Sequence, residues 1–240
     1  MDTIGKLIKK VEPGRRDWWT PPPPEPRRTF QPVTLDSLDT TWHPRVKVAV
    51  MAAQLWSKRR ARGEAAGLVL IASAIPLDIN RTGYGCGKTH IARACLHTDC
   101  YWLDGVPVAA AGQFFSANDI IQRLDADTPA GVEVGNARIV VIDDVGTEQT
   151  IPYIAAVDQE RERQSRYFKL INFCYERRVS LVMTGNLTLG ELQQRIGGRA
   201  WSRLQEMAPR GQIVDLTGVP DWRTRGRLPV SEPVALGGDG

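Results

Sequence analysis

Short apolar runs alternate with amphipathic segments through the middle of the chain. Gly67–Ala74, Arg138–Asp144 and Ser180–Gly185 each contain a continuous apolar run of strand length, which is typical of strands buried on both faces. Val106–Ala111 is a further, shorter candidate strand. Four helices are predicted. They are residues 44–62, a helix that follows Lys88 and runs to about His97, the segment IIQRL with its cap at Ser116 and Asp119, and residues 157–178. Strands that alternate with helices predict an α/β fold whose parallel sheet is flanked by helices.

The first predicted helix, residues 44–62, is amphipathic. Val46, Val50 and Leu55 are expected on its apolar side. Its last turns carry Lys58, Arg59, Arg60 and Arg62. Positive charge at this end suits the helix dipole, so the helix is expected to end there.

The two ends of the chain differ in composition from the middle. In residues 1–32, apolar residues at helical spacing precede Trp18–Trp19 and then Pro21–Pro24, a run that can neither continue a helix nor pair in a sheet. This segment is interpreted either as a disordered tail or as a docking segment, because adjacent tryptophans are costly to leave in water. A globular domain over residues 33–224 and a disordered tail over residues 225–240 complete the expected organisation.

Composition and charge narrow the class of protein. Apolar residues make up 42% of the 240 residues and charged residues 24%, as in ordinary globular proteins. The net charge of +4 permits a polyanionic partner without proving one. No apolar run approaches the roughly 18 residues of a membrane span, and the first residues lack the pattern of a secretory signal, so a cytoplasmic protein without membrane contact is predicted.

The cysteines do not follow the pattern of a metal site. They are Cys86, Cys95, Cys100 and Cys174. Although His97 lies between two of them, they lack the paired spacing of a structural zinc site. Reduced thiols are therefore expected.

The segment TGYGCGKT, Thr82–Thr89, predicts a phosphate-binding loop between a strand and a helix. Glycines let backbone N–H groups converge on phosphates, and the following helix directs its positive end towards them. Lys88 is expected to reach the β- and γ-phosphates of ATP, and the Thr89 hydroxyl to ligate Mg²⁺. Thr82 stands where the general pattern has its first glycine. The residues predicted to contact nucleotide are Thr82, Gly83, Gly85, Cys86, Gly87, Lys88 and Thr89.

Polar residues at two later strand ends complete the predicted site. Asp143 and Asp144 end a buried strand, where open α/β sheets place their ligands. Asp143 is expected to hold Mg²⁺ together with Thr89, and Asp144 to orient or activate the attacking water. Asn186 follows the strand Ser180–Gly185 and is a candidate for hydrogen bonding to the γ-phosphate or to the water.

Two arginines are further candidates for the chemistry. The segment GGRAWSRL places Arg199 and Arg203 four residues apart on one helical face. Arginines can neutralise charge that develops on the γ-phosphate, often from a neighbouring subunit. The alternative is a solvated basic face.

The order of four motifs resembles DnaC-type helicase loaders and the related IstB-type transposition ATPases, both of the AAA+ class. The motifs are GYGCGKTHIARA, VVIDDVGTEQ, FKLINFCYERR with SLVMTGNLTLGEL, and GGRAWSRL. The resemblance implies that Asn186 is the sensor 1 residue, that Arg203 is the arginine finger, and that Arg199 supports it. It also implies a homo-oligomer that assembles on single- or double-stranded DNA, and a partner protein bound through the N-terminal segment. No helical lid is expected after the sheet.

The expected function is that of an ATP-hydrolysing loader that delivers a replicative helicase onto single-stranded DNA. A transposition ATPase of the IstB type would use the same ATPase domain to deliver target DNA to a transposase. A nucleotide-switched adaptor that does not hydrolyse ATP is another alternative, because Asp144 is a shorter carboxylate than glutamate. A small-molecule kinase is a more distant one.

Overall fold

The computed structural model describes residues 33–74, 83–103, 106–109, 112–124, 134 and 136–224. The predicted end segments 1–32 and 225–240 lie outside the described residues, and so does Thr82. Among the residues that are described, no helix combines the length and the apolar character that crossing a bilayer requires.

Seven strands occur in the described part of the chain. They are β1 (Gly67–Ile71), β2 (Cys100–Leu103), β3 (Val106–Ala109), β4 (Gly112–Ser116), β5 (Ile139–Val145), β6 (Ser180–Gly185) and β7 (Ile213–Asp215). Five of them form one parallel sheet in the order β4-β5-β6-β1-β7, whereas β2 and β3 form a separate antiparallel pair. The parallel α/β fold predicted from the sequence is therefore confirmed.

Helices connect these strands. They are α1 (Pro44–Ala61), α2 (Lys88–Leu96), α3 (Ala117–Arg123), α4 (Gln159–Arg177), α5 (Leu189–Ile196) and α6 (Gly198–Met207). Short 3-10 turns lie at Leu35–Ser37, His97–Asp99, Ala156–Asp158 and Trp222–Thr224.

The sheet separates two apolar layers, and β1 shows how. Consecutive side chains on a strand point to opposite faces. Val69 and Ile71 accordingly belong to the core that includes α4, α5 and α6, while Leu68 and Leu70 belong to the core that includes α1 and α2. This two-sided burial explains why β1, β5 and β6 appear in the sequence as continuous apolar runs.

The sequence pattern predicts the wrong face of α1 for one side chain, Leu55. Val46 and Val50 are buried as expected, but Leu55 is 48% exposed. The buried stripe continues instead through Ala53 to Trp56, whose indole Nε1 donates a hydrogen bond to the Ala66 carbonyl oxygen over 3.0 Å. Leu55 is next to Trp56 in the helix, about 100° around its axis, and therefore points away from this stripe.

The strand assignments need two corrections. Val106–Ala111 was expected in the parallel sheet, but Val106–Ala109 pairs with β2. The edge strands β4 and β7 were not predicted. Edge strands are covered less completely, and β7 has only three residues, so neither produces a long apolar run.

Candidate functional site

The carboxyl ends of β1, β5 and β6 lie at one edge of the sheet, and the predicted site residues converge there. The loop that precedes α2 carries Gly83, Gly85 and Gly87 at φ values of 76°, 67° and 94°. These left-handed conformations favour glycine because a side chain would clash with the backbone. A Cβ on Gly83 would lie 2.8 Å from the Ala72 carbonyl oxygen, whereas one on Gly87 would meet no atom within 4 Å. The loop is therefore packed at its start and open where α2 begins.

Lys88 begins α2 and is only 6% exposed. Its ammonium group donates hydrogen bonds to the Gly83 carbonyl oxygen over 2.6 Å, to Asn186 Oδ1 over 2.8 Å and to Cys86 Sγ over 3.3 Å. None of the three acceptors is a carboxylate. A buried ammonium whose hydrogen-bond partners include no carboxylate keeps its charge available for an anion.

Asp143 lies between two hydroxyl groups. Thr89 Oγ1 donates to its two carboxylate oxygens, over 3.0 and 3.1 Å, and Thr184 Oγ1 donates to Oδ1 over 2.5 Å. Asp143 is 8% exposed. One carboxylate beside one hydroxyl fits Mg²⁺, which prefers oxygen ligands and usually takes only one or two carboxylates together with waters and substrate phosphates. Thr184 was not among the predicted site residues, because the sequence gives no periodic signal for this contact.

Asp144 reaches the same side of the sheet through a β-bulge. The register with β6 shifts between Ile142 and Val145, and Asp144 adopts a φ of 60°. Its backbone N–H donates to Thr184 Oγ1 over 3.0 Å. Consecutive residues of a regular strand face opposite sides, so this bulge is what allows both carboxylates to face the phosphate loop.

The environment of Asp144 raises its pKa. Partial burial and the adjacent charge of Asp143 raise the pKa of Asp144, while Lys88 and a hydrogen bond from Asn186 oppose the shift. Asn186 Nδ2 donates to Asp144 Oδ1 over 3.3 Å. Asn186 thus accepts from Lys88 and donates to Asp144, which fixes the orientation of its amide.

A cavity of about 580 Å³ opens beside these groups. It is lined by the predicted site residues Gly85, Cys86, Gly87, Lys88, Thr89, Asp144 and Asn186. Trp42 and Trp222 line it as well, with ring centroids 5.6 Å apart and planes inclined by 59°. The Trp222 backbone N–H donates to the Gly85 carbonyl oxygen over 3.0 Å, so the end of the described chain is tied to the phosphate loop.

The two tryptophans were not predicted as site residues. Trp42 precedes the first helix, and Trp222 lies near the end of the predicted domain. Nothing in the local sequence shows that residues so far apart lie side by side. Only the aromatic character of both positions was available as a signal.

Arg199 and Arg203 do not line this cavity. Both lie on α6, where their guanidinium groups stack on aromatic rings of α4. Arg199 is 4.0 Å from the ring centroid of Phe168, and Arg203 is 4.5 Å from that of Tyr175. Arg203 also pairs with Glu206, which accepts a hydrogen bond from the Tyr175 hydroxyl. The structure of one chain thus does not bring either arginine into its own cavity.

Comparison with solved structures identifies the fold. The crystal structure of the DnaC helicase loader is similar with a TM-score of 0.54 and 21% sequence identity, over 79% of this chain and 99% of that chain. A crystal structure of DnaI overlaps with a TM-score of 0.49 and 13% identity, over 82% and 93% of the two chains. AMPPCP-bound DnaA from Aquifex aeolicus overlaps with a TM-score of 0.49 and 16% identity, over 78% and 51%.

No protein-family model and no curated protein matches the sequence. At 21% identity the likeness to the DnaC structure concerns the fold, and it agrees with the parallel sheet and the phosphate loop described above. The chain therefore has the α/β fold that is seen in the crystal structure of the DnaC helicase loader.

Proposed function

We propose that the chain binds MgATP in the cavity beside the phosphate loop, hydrolyses it, and uses the cycle to load a replicative helicase onto DNA. The observation that carries the ATPase part is the contact between Thr89 and Asp143 next to the buried Lys88. These groups come from two different elements of the sheet edge and provide hydroxyl, carboxylate and ammonium within one small region.

The phosphates are held by the loop and by Lys88. The positive φ angles of Gly83, Gly85 and Gly87 give the loop a shape in which backbone N–H groups can turn towards an anion. Lys88 exchanges its neutral acceptors for phosphate oxygens. Thr89 and Asp143 would hold Mg²⁺, which when bound neutralises charge on the β- and γ-phosphates.

Asp144 and Asn186 act on the attacking water. Asp144 accepts its proton or orients it, and the raised pKa brings this carboxylate closer to the range of a general base. Asn186 contacts both Lys88 and Asp144, so it can hold the water in a fixed position relative to the γ-phosphate.

The nucleobase packs against Trp42 and Trp222. These rings line the same cavity as Lys88 and Asp144, and an aromatic wall suits the flat face of a base. The hydrogen bond between Trp222 and Gly85 fixes the distance between this wall and the phosphate loop.

Arg203, supported by Arg199, acts on the ATP of a neighbouring copy in a homo-oligomer. Neither arginine lines the cavity of its own chain, and α6 presents both at its surface. Stacking on Tyr175 and Phe168 orders the guanidinium groups before a second copy arrives. A charge supplied in trans makes hydrolysis depend on assembly.

The loading of a helicase is supported by the fold shared with the DnaC helicase loader. Contacts with single-stranded DNA would be made to its phosphates by basic residues and would not read bases. Co-purification of the full-length chain with a hexameric helicase is expected. Co-purification with a transposase in its place would favour delivery of target DNA, and binding of ATP without release of phosphate would favour a nucleotide-switched adaptor.

Substitution of Trp222 by leucine tests the position of the base. Base stacking on an aromatic ring contributes roughly 1–3 kcal/mol, so ATP is expected to bind about 5- to 150-fold more weakly to Trp222→Leu. Calorimetric titration measures the affinity. Tyr153→Leu is the control, because Tyr153 is exposed and does not line the cavity. Equal affinities for both variants would remove the base from this wall.

Mixing two inactive variants tests the shared site. Lys88→Ala is expected to lose ATP binding, and Arg203→Ala is expected to bind ATP but to hydrolyse it about 1,000-fold more slowly. In a random equimolar mixture, about a quarter of the head-to-tail contacts join an intact loop to an intact arginine, so partial activity should return. Phosphate release with and without single-stranded DNA is the measurement, and exposed Arg210→Ala is the control. An inactive mixture would argue against action in trans.

The pKa shift of Asp144 predicts how its substitution changes stability. Because the folded state raises this pKa above the ordinary 3.8, ionisation of Asp144 destabilises the folded protein. This loss of stability is complete at pH values above the pKa that Asp144 has in the folded protein. It is absent at pH values below the pKa that Asp144 has in the unfolded chain. Asp144→Asn is therefore expected to melt at a higher temperature than the native chain near pH 7, and at the same temperature near about pH 3.

The same variant should bind ATP without hydrolysing it. Calorimetry measures the melting temperature of Asp144→Asn and of the native chain at both pH values. Asp158→Asn, at an exposed position, corrects for the loss of one charge. A lower melting temperature for Asp144→Asn at pH 7 would contradict the account of Asp144.

A further inference from the structure

Glu148 is a buried carboxylate that the proposed reaction does not use. Its side chain is 0% exposed. Oε1 accepts the backbone N–H of Gly146 over 3.0 Å and also the hydroxyl of Tyr167. Oε2 lies 3.7 Å from Arg195 Nη1 and has no hydrogen bond among the described residues.

On one side, Glu148 holds the turn that follows Asp144. Asp144 and Gly146 both have left-handed backbone conformations, with φ values of 60° and 106°. For Asp144, such a conformation persists only where surrounding contacts hold it, whereas glycine adopts it readily. Thr147 Oγ1 donates to the Asp144 carbonyl oxygen over 2.7 Å, and Leu187 lies 3.0 Å from the position of a Cβ on Gly146. Glu148 adds the contact to the Gly146 N–H.

On the other side, Glu148 contacts the helices that lead to the arginines. Tyr167 lies on α4, next to Phe168, on which Arg199 stacks. Arg195 lies on α5, which ends at Ile196 and is followed by α6 after one residue. A single carboxylate therefore bridges the turn that carries Asp144 and the helices that carry or support Arg199 and Arg203.

The bridge is poorly suited to stability alone. Removing a carboxylate from water is costly unless good partners replace the water, and Oε2 has only a long ion pair. Burial and the nearby Glu148 raise the pKa of Tyr167, so its hydroxyl keeps its proton and donates. The contacts of Glu148 instead fix the positions of the Gly146 N–H, the Tyr167 hydroxyl and the Arg195 guanidinium relative to one another.

We propose that Glu148 is a positioning residue that couples the turn carrying Asp144 to α4 and α5, and so links the water site to the arginines of α6. This inference rests on the proposed ATPase function. It assigns a role to the last residue of the motif VVIDDVGTE, which none of the groups in the proposed reaction requires.

Glu148→Gln tests the coupling, because glutamine has nearly the same shape and still accepts from Gly146 but cannot pair with Arg195. A roughly 10-fold lower kcat is expected, with KM and the melting temperature changed little. Glu64→Gln is the matched control, since it removes a 2.7 Å ion pair with Arg59 outside the site. An unchanged kcat, or a fall in melting temperature with parallel loss of ATP binding, would overturn the proposal.

A double-mutant cycle separates position from general stability. If Glu148 acts through Arg195, then Arg195→Gln lowers kcat to the same extent, and the double variant is no slower than either single variant. Additive losses would mean that the two residues act independently and would overturn the coupling.

Hydrogen exchange tests the bridge without catalysis. In Glu148→Gln, the amides of residues 144–148 and of α5 are expected to exchange faster than in the native chain and in Glu64→Gln. Unchanged exchange would overturn the bridge. If the native chain releases no phosphate, the proposed ATPase function fails, whereas the exchange result still decides whether Glu148 couples these elements.

Discussion

The β-bulge at the end of β5 is the constraint on which the candidate site depends. Without it, Asp143 and Asp144 would point to opposite faces of the sheet. Thr184 of the neighbouring strand stabilises the bulge twice, since its hydroxyl donates to the Asp143 carboxylate and accepts the Asp144 N–H. Contacts within the sheet thus hold Asp144 at its positive φ of 60°. Backbone strain of this kind is often found at functional sites.

Three strand ends are linked by polar contacts that run across the sheet edge. Thr89 joins the loop after β1 to Asp143 on β5, and Asn186 after β6 joins Lys88 to Asp144. Each contact connects residues that are distant in sequence, so the site forms only when the parallel sheet has formed. Away from the sheet edge, Glu148 makes further contacts between distant residues, with Tyr167 of α4 and Arg195 of α5. Direct contacts therefore join the turn that carries Asp144 to α4 and α5.

The sequence predicts those parts of the site that are local. The loop from Gly83 to Thr89 and the acids after an apolar strand can be recognised because each is a short motif with a fixed spacing. The structure brings Lys88, Thr89 and the two acids together as that spacing implied. Thr184, Trp42 and Trp222 could not be predicted, because their roles depend on which strands become neighbours and on where the end of the domain folds back. Likewise, β7 is too short to produce a pattern, and the face of Leu55 is decided by packing.

The proposed function depends on binding of MgATP in the cavity through Lys88, and titration calorimetry measures this binding. The native chain and Lys88→Ala are titrated with ATP, each with Mg²⁺ and with a chelator. The account predicts one ATP per native chain, bound more weakly when Mg²⁺ is removed, and an affinity for Lys88→Ala that is lower by about 100-fold or more. No binding to the native chain, or equal affinity for Lys88→Ala, would contradict it.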